Sequence, residues 1–347
     1  MKVIHLIPHD GLGGVEQAAR SLKPNGSFNV EVAFVCGKTL SEESHIKVIS
    51  QNSNLNSFSF YVNGFKYLLD NEPNLLISSL WRVSLIATVY TIYRRIFTNK
   101  EPLKLVVFIH ANKFAHVADK IVTSIAMSLA DEVWCDSQAS KDGIFSNKRS
   151  SNKVKVISFF TNLNEHVSIN DRKNNFVFWG RLAKQKRLDK AIRFFKNINK
   201  HVPEATFYIF GPDRGELDDL QELVDKLELN KNVLFMGEKA PNHYPEEALN
   251  SKFFINTSSH EGMAIAVTEA MQLGLVPIVT PVGEIANYCI DGLNSIYYQD
   301  SAYEKVLNAI NDQTVYDSLS SNARTYWNQK VDYSMDFNQN CQRILSV

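Results

Sequence analysis

Short apolar runs, separated by longer segments of helical periodicity, recur from one end of this chain to the other. In the first half the runs predict strands at Val3–Pro8, Val30–Cys36, Phe58–Val62, Leu75–Ser79, Leu105–His110, Glu132–Asp136 and Val154–Phe159. In the second half they predict strands at Phe176–Gly180, Thr206–Gly211, Val233–Gly237, Phe253–Thr257, Val276–Thr280 and Ser295–Tyr298. Apolar residues at helical spacing fall between them, as in Leu188–Asn199 and Glu216–Leu227, and again near the end in Val315–Trp327 and Met335–Leu345. Strand–helix alternation with strands this apolar implies parallel sheets covered by helices on both faces, hence an α/β protein. A polar stretch from Asn162 to Asn175 interrupts the pattern and reads as a linker between two sheets of similar size.

Length agrees with that division, because 347 residues exceed one ordinary hydrophobic core. Hydrophobic residues make up 44% and charged residues 21%, so the chain is expected to be an ordinary globular protein. Its formal net charge is zero, which gives no general attraction to nucleic acid; any basic patch must be local. Cys36, Cys135, Cys289 and Cys341 are scattered, with no Cys-x-x-Cys, which argues against zinc and against a disulfide framework. Together with the lack of a signal-like or spanning apolar segment, they point to a cytoplasmic protein.

The chemistry concentrates in Ser259-His260-Glu261-Gly262-Met263-Ala264-Ile265-Ala266-Val267-Thr268-Glu269. Two carboxylates stand eight positions apart, after a strand and across a loop in which a helix begins; Gly274 closes that helix. Upstream, Phe178-Trp179-Gly180-Arg181-Leu182-Ala183-Lys184-Gln185-Lys186 also follows a strand and precedes a helix. The first stretch resembles the Glu-x7-Glu signature of retaining glycosyltransferases of the GT-B fold, family 4 type (glycosyl transferases group 1). The second is similar to that family's Gly-Arg-Leu loop, with a lysine five residues after the arginine. The resemblance is close over roughly residues 175–300 and looser before them.

What the resemblance implies is two facing Rossmann-like doubly wound domains with the donor site in the cleft. Their expected extents are residues 1–165 on the acceptor side and 166–325 for the nucleotide sugar, with a C-terminal helix, 326–347, returning to the first domain. Transfer from a nucleotide diphosphate sugar leaves a diphosphate whose growing negative charge must be met by cations or dipoles. By the match, Arg181 and Lys186 meet it, Glu261 touches the transferred sugar, and Glu269 holds the ribose hydroxyls. Gly180 and the backbone of Gly262, Met263, Ala264 and Ile265 complete the donor site, the latter four near a helix N-terminus where anions bind. No Asp-x-Asp occurs in the sequence, so no metal and no cofactor are expected.

In the first half, Gly11-Leu12-Gly13-Gly14-Val15-Glu16 resembles the family's Gly-Gly-x-Glu loop, which places Gly13 and Gly14 at the donor site. Glu16 either fixes this loop or is an exposed first-turn carboxylate. His110, at a strand's carboxyl end, matches a histidine that in the family contacts the donor sugar. Ser137 reads as a helix cap. The sequence departs from the family after Val154-Lys155-Val156-Ile157, where Pro-Asn-Gly is replaced by Ser158-Phe159-Phe160, and at Met263, where an aromatic residue is common. Basic residues with interleaved aromatics between Trp81 and Lys113 form either a surface for a lipid-linked acceptor or membrane, or a solvated covering helix. The acceptor implied is a glycan or lipid-linked glycan of cell-surface polysaccharide synthesis, lipopolysaccharide among them, with the enzyme peripheral on the inner face of the membrane. Two other readings stay open: a GT-B nucleotide-sugar epimerase, or a silent nucleotide-sugar-binding scaffold.

Overall fold

The computed structural model describes the chain apart from residues 12, 25, 38–43, 52–53, 146–151, 164–171, 240–242 and 347. It divides into two compact units, Met1–Thr161 with Val331–Val347, and Asn162–Lys330. The expected boundary at 165/166 lies outside the described residues.

The first unit holds seven parallel strands: β1 (Lys2–His9), β2 (Asn29–Cys36), β3 (Ile46–Ser50), β4 (Leu75–Ser79), β5 (Lys104–Ile109), β6 (Glu132–Cys135) and β7 (Val154–Val156). They lie in the order β3-β2-β1-β4-β5-β6-β7. Helices α1 (Gly14–Arg20), α2 (Phe58–Asn71), α3 (Trp81–Phe97), α4 (Val117–Leu129) and α5 (Gln138–Phe145) connect them. Because crossovers between parallel strands are right-handed, α2, α3 and α4 fall on one face of the sheet and α1 on the other. The C-terminal helix, Tyr333–Leu345, packs within this unit through Tyr333 and Phe337, whose rings meet Phe159 and Trp134. Arg343 donates to both carboxylate oxygens of Glu132 at 2.7 Å, and Asp336 accepts from the Ser158 backbone at 2.7 Å.

The second unit holds β8 (Lys173–Trp179), β9 (Phe207–Phe210), β10 (Val233–Gly237), β11 (Ser251–Asn256), β12 (Val276–Val279) and β13 (Ile296–Tyr297), all parallel, in the order β10-β9-β8-β11-β12-β13. Its helices are α6 (Leu188–Asn199), α7 (Leu217–Lys226), α8 (Glu246–Leu249), α9 (Ile265–Gln272), α10 (Ile285–Tyr288), α11 (Ala302–Asn311) and α12 (Gln313–Asn328). In both sheets the strand order reverses direction once, at β1/β4 and at β8/β11. Outside the carboxyl ends of the strands at such a reversal, the connecting loops part and leave a crevice for ligands.

Two elements differ from the sequence pattern. Phe58–Val62 is no strand but the first turns of α2, because Ser57 caps the helix by accepting from the Phe60 amide and Phe60, Gly64 and Leu68 bury one face at a spacing of four. Conversely, Ile46–Ser50 forms the edge strand β3, paired with β2 through backbone bonds that its mixed side chains do not advertise. All four cysteines are buried and free. No helix among the described residues is long and apolar enough to cross a membrane.

The centre of the second core is aromatic. Phe253 on β11 stacks on Phe176 of β8 at 4.9 Å between centroids and meets Tyr316 of α12 edge-on at 6.0 Å. Phe253→Ala is therefore expected to cost roughly 3–5 kcal/mol, read as a lower denaturant midpoint for unfolding of this unit.

Candidate active site

The carboxyl ends of β8 and β11 carry the two motifs, and backbone bonds draw their loops together. After β8 the chain turns at Gly180, whose amide donates to Phe210 O at 3.0 Å, and Leu182 exchanges bonds with the Pro212–Arg214 segment at 2.9 Å. A single 3-10 turn, Lys184–Lys186, follows. Gln185 O accepts from the Ser259 amide at 2.9 Å, the Gln185 side chain donates to His260 O at 2.8 Å, and Thr257 Oγ1 donates to Arg187 O at 2.7 Å. These links stitch the turn after β8 to the loop after β11.

The consequence is an ion pair. Lys186 Nζ lies 2.6 Å from Glu261 Oε1, and Ser258 Oγ and Asn256 Nδ2 donate to the same oxygen at 2.6 and 3.4 Å. Glu261 is buried, which by itself raises its pKa; the lysine charge and the three donors outweigh burial and hold the carboxyl below the usual glutamate range. Arg181, by contrast, is exposed and makes no ion pair or hydrogen bond among the described residues. Sequence reasoning assigns Lys186 to phosphate and Glu261 to sugar as separate contacts. The structure joins them, leaving Arg181 as the arginine of the motif with its full charge uncompensated.

The second carboxylate sits on the first turns of α9. Glu269 is buried and its Oε2 accepts from the Trp179 indole N–H at 2.7 Å. Burial pushes its pKa up, against the nearby Lys239 charge and the bonds from Trp179 and Tyr244. Lys239 in turn lies over the Tyr244 ring at 4.4 Å. Trp179, Tyr244 and Lys239 were not singled out by sequence; an indole as the last residue of a strand was the one available signal.

At the start of α9 the left-handed residue is Ala264, at φ 57°, and not Gly262. The amides of Gly262, Met263, Ala264 and Ile265 donate no hydrogen bond among the described residues, so they are left for a ligand beside the positive end of the helix dipole. Their carbonyls are tied from behind: Tyr288 Oη donates to Met263 O at 2.9 Å and the Glu284 amide to Gly262 O at 3.1 Å. That second contact requires Gly283, at φ 58°, since a Cβ there would fall 2.1 Å from Glu261 O.

Gly13 caps α1, and a Cβ on it would strike Glu16 Oε2 at 2.3 Å. Glu16 is buried against His9, 3.2 Å away, and so is not an exposed first-turn carboxylate. Gly14 opens α1. His110 follows β5 with its side chain 3% exposed; its Nε2 shares the Ser79 hydroxyl, at 2.9 Å, with His5 Nε2 at 2.7 Å. Burial, with His110 nearby, lowers the His5 pKa to about 3, so His5 is neutral. Asp136 lies 3.6 Å from His110 Nδ1 and accepts from Ser137 and Ser140. Ser137 also accepts from the Ser140 amide at 3.1 Å, the expected cap of α5. Ser79 is followed by Leu80 at φ 76°, ψ 147°, a region that glycine ordinarily occupies.

Two reversed-order Rossmann-like sheets in one chain define a GT-B protein. The whole chain superposes on the structure of HepE from Anabaena bound to UDP, with a TM-score of 0.81, 19% identity and full coverage of both chains. The lipopolysaccharide outer core galactosyltransferase WaaB in its apo form covers 100% of this chain and 99% of its own, at a TM-score of 0.67 and 19% identity. Residues 159–326 match the family model named Glycosyl transferases group 1. An uncharacterized glycosyltransferase of Methanocaldococcus jannaschii is 27% identical over 237 residues, 62% of this chain. The match spans 57% of that relative's length.

The two carboxyls shift in opposite directions, and stability follows each. Glu261, with its lowered pKa, contributes stability above the ordinary glutamate range that is lost as pH falls through its folded value. Glu269, with its raised pKa, costs stability as pH rises through that range, so Glu269→Gln is expected to raise Tm at pH 7 and to leave it unchanged at pH 4. Lys186→Met strands a buried charge and is expected to cost roughly 3–5 kcal/mol, most of it recovered in Lys186→Met/Glu261→Gln, both by chemical denaturation.

Proposed function

We propose that this protein transfers a sugar, with retention and without a metal, from a nucleotide diphosphate sugar to a hydroxyl of a glycan or lipid-linked glycan in cell-surface polysaccharide biosynthesis. The observation that carries the reading is the convergence, at the β8/β11 reversal, of Arg181, the Lys186–Glu261 pair and the free amides of α9. Each meets a different requirement of the donor. Uncompensated positive charge on Arg181 and the free N–H groups suit a diphosphate whose charge grows as the sugar leaves. Lys186 has three donors, of which Glu261 takes one. Glu261 can thus orient sugar hydroxyls without repelling the phosphates, because its charge is already balanced.

Glu269 is set back on α9 and acts on the nucleotide. Two ribose hydroxyls would supply the hydrogen bonds that burial removed and so favour its ionised form. Trp179 holds the carboxylate in place for that contact. His110, Gly13 and Gly14 contribute to donor binding from the first unit, His110 by placing the transferred sugar. UDP is the favoured nucleotide, since HepE was captured with it. We assign the basic Trp81–Lys113 stretch to a peripheral membrane contact on the cytoplasmic face. An epimerase of the same fold would turn over donor alone, whereas this reading requires an acceptor.

A thermal-shift and calorimetry panel of UDP, GDP, ADP and their common sugars, with and without EDTA, tests the donor site. One nucleotide is expected to raise Tm regardless of EDTA, with the gain lost in Glu269→Ala; binding that needs a divalent cation would refute the metal-independent reading. Arg181→Ala, at an exposed position, is expected to leave Tm unchanged and to lower kcat about 100- to 1,000-fold, measured with the nucleotide sugar so identified.

A further inference from the structure

Helices α2, α3 and α4 lie side by side on one face of the first sheet, and their inner residues fill its core. Their outer surfaces should be polar. Instead Val89, Ile92 and Ile96 form an exposed stripe along α3, and Val117, Ile121 and Ile125 form another along α4, each at helical spacing. Phe97, at the end of α3, is 72% exposed and Val117 is 74% exposed. Between α2 and α3 opens a groove of about 590 Å³ lined by Phe58, Tyr61, Val62, Phe65, Leu85 and Val89, with Lys66 its one charged lining residue. Apolar surface continuous over three helices is more than a monomer ordinarily leaves in water.

Charge selects the occupant. Residues 81–129 carry seven lysines and arginines against two carboxylates, in a chain of zero net charge. Arg94 donates to Glu101 O at 2.9 Å and Arg95 to Leu129 O at 3.1 Å, so carbonyls hold both guanidinium groups in position; Glu72 is within electrostatic reach of Arg94, and Arg95 makes no ion pair among the described residues. Lys100 differs, being paired with Glu72. Two copies of this face related by a two-fold axis would oppose like charges, which disfavours self-association. An anionic bilayer supplies both what the stripes lack, an apolar phase, and what the arginines lack, phosphate.

We propose that the α2–α3–α4 face seats this protein on an anionic lipid surface, with Ile92, Ile96, Phe97 and Ile121 entering the boundary between headgroups and acyl chains. The inference rests on the membrane contact proposed above and moves its centre from the basic residues to the apolar stripes. Arg94, Arg95 and Lys120 then serve as headgroup contacts at the rim.

The test is flotation of the full chain with phosphatidylglycerol/phosphatidylcholine vesicles and with phosphatidylcholine alone, at low and high salt. Wild type is expected to float with the anionic vesicles and to be weakened by salt. The surface variant Ile96→Asp/Ile121→Asp should lose at least about tenfold in binding while keeping its Tm and its nucleotide-induced Tm shift. Wild type that stays with the unbound fraction at low salt, or a variant that binds as wild type does, overturns the inference. So does a wild-type dimer in sedimentation that the variant abolishes, which would make the face a contact between copies. Nucleotide binding without flotation removes only the membrane inference, and flotation without nucleotide binding removes only the donor-site reading.

Discussion

A carboxylate taken out of water must be met by charge and hydrogen bonds, and Glu261 is where this chain meets that demand. Its partner, Lys186, comes from the other side of the β8/β11 reversal, 75 residues away in sequence. The pair can form only if the 3-10 turn after β8 and the loop after β11 are held in register, which the Gln185, Ser259 and Thr257 backbone contacts achieve. The same register orients the start of α9, and Gly283 lets the next loop close behind it. The site is thus a consequence of one electrostatic requirement propagated through two loops.

The two glutamates of the motif shift in opposite directions because their surroundings differ. Glu261 has a cation and two neutral donors and is held ionised; Glu269 has Trp179, Tyr244 and the charge of Lys239 against full burial, and its ionisation is opposed. On the proposed donor reading, a carboxylate already balanced suits orientation beside a diphosphate. One that gains by accepting further bonds suits hydroxyl recognition. A similar economy governs the first unit, where Ser79 joins two histidines beneath the strained Leu80. There burial keeps His5 neutral while His110 stays at the carboxyl end of β5.

Most strands were legible because both faces of a parallel sheet are covered, so each strand reads as an unbroken apolar run. The failures have physical causes. Phe58–Val62 is apolar enough for a strand, yet the Ser57 cap and the every-fourth-residue burial of Phe60, Gly64 and Leu68 make it helical. Ile46–Ser50 lies at a sheet edge, where one covered face demands little hydrophobicity. The unit boundary at Thr161/Asn162 falls at the start of the polar stretch read as a linker, whose last residues, Lys173–Asn175, belong to β8 and whose middle lies outside the described residues.

By itself, the sequence determined the alternation of elements, the glycine-bearing turns, and the chemical identities and spacing of Arg181, Lys186, Glu261 and Glu269. Spacing along one helix or loop is a local property, so eight positions from Glu261 to Glu269 could be read directly. Only the tertiary structure decided that Lys186 neutralises Glu261, that Trp179 holds Glu269, and that Arg181 is left uncompensated. It alone decided, too, that the apolar stripes of α3 and α4 face outward. Pairing, burial and exposure depend on which segments the strand order brings together, and distance along the chain carries no record of it.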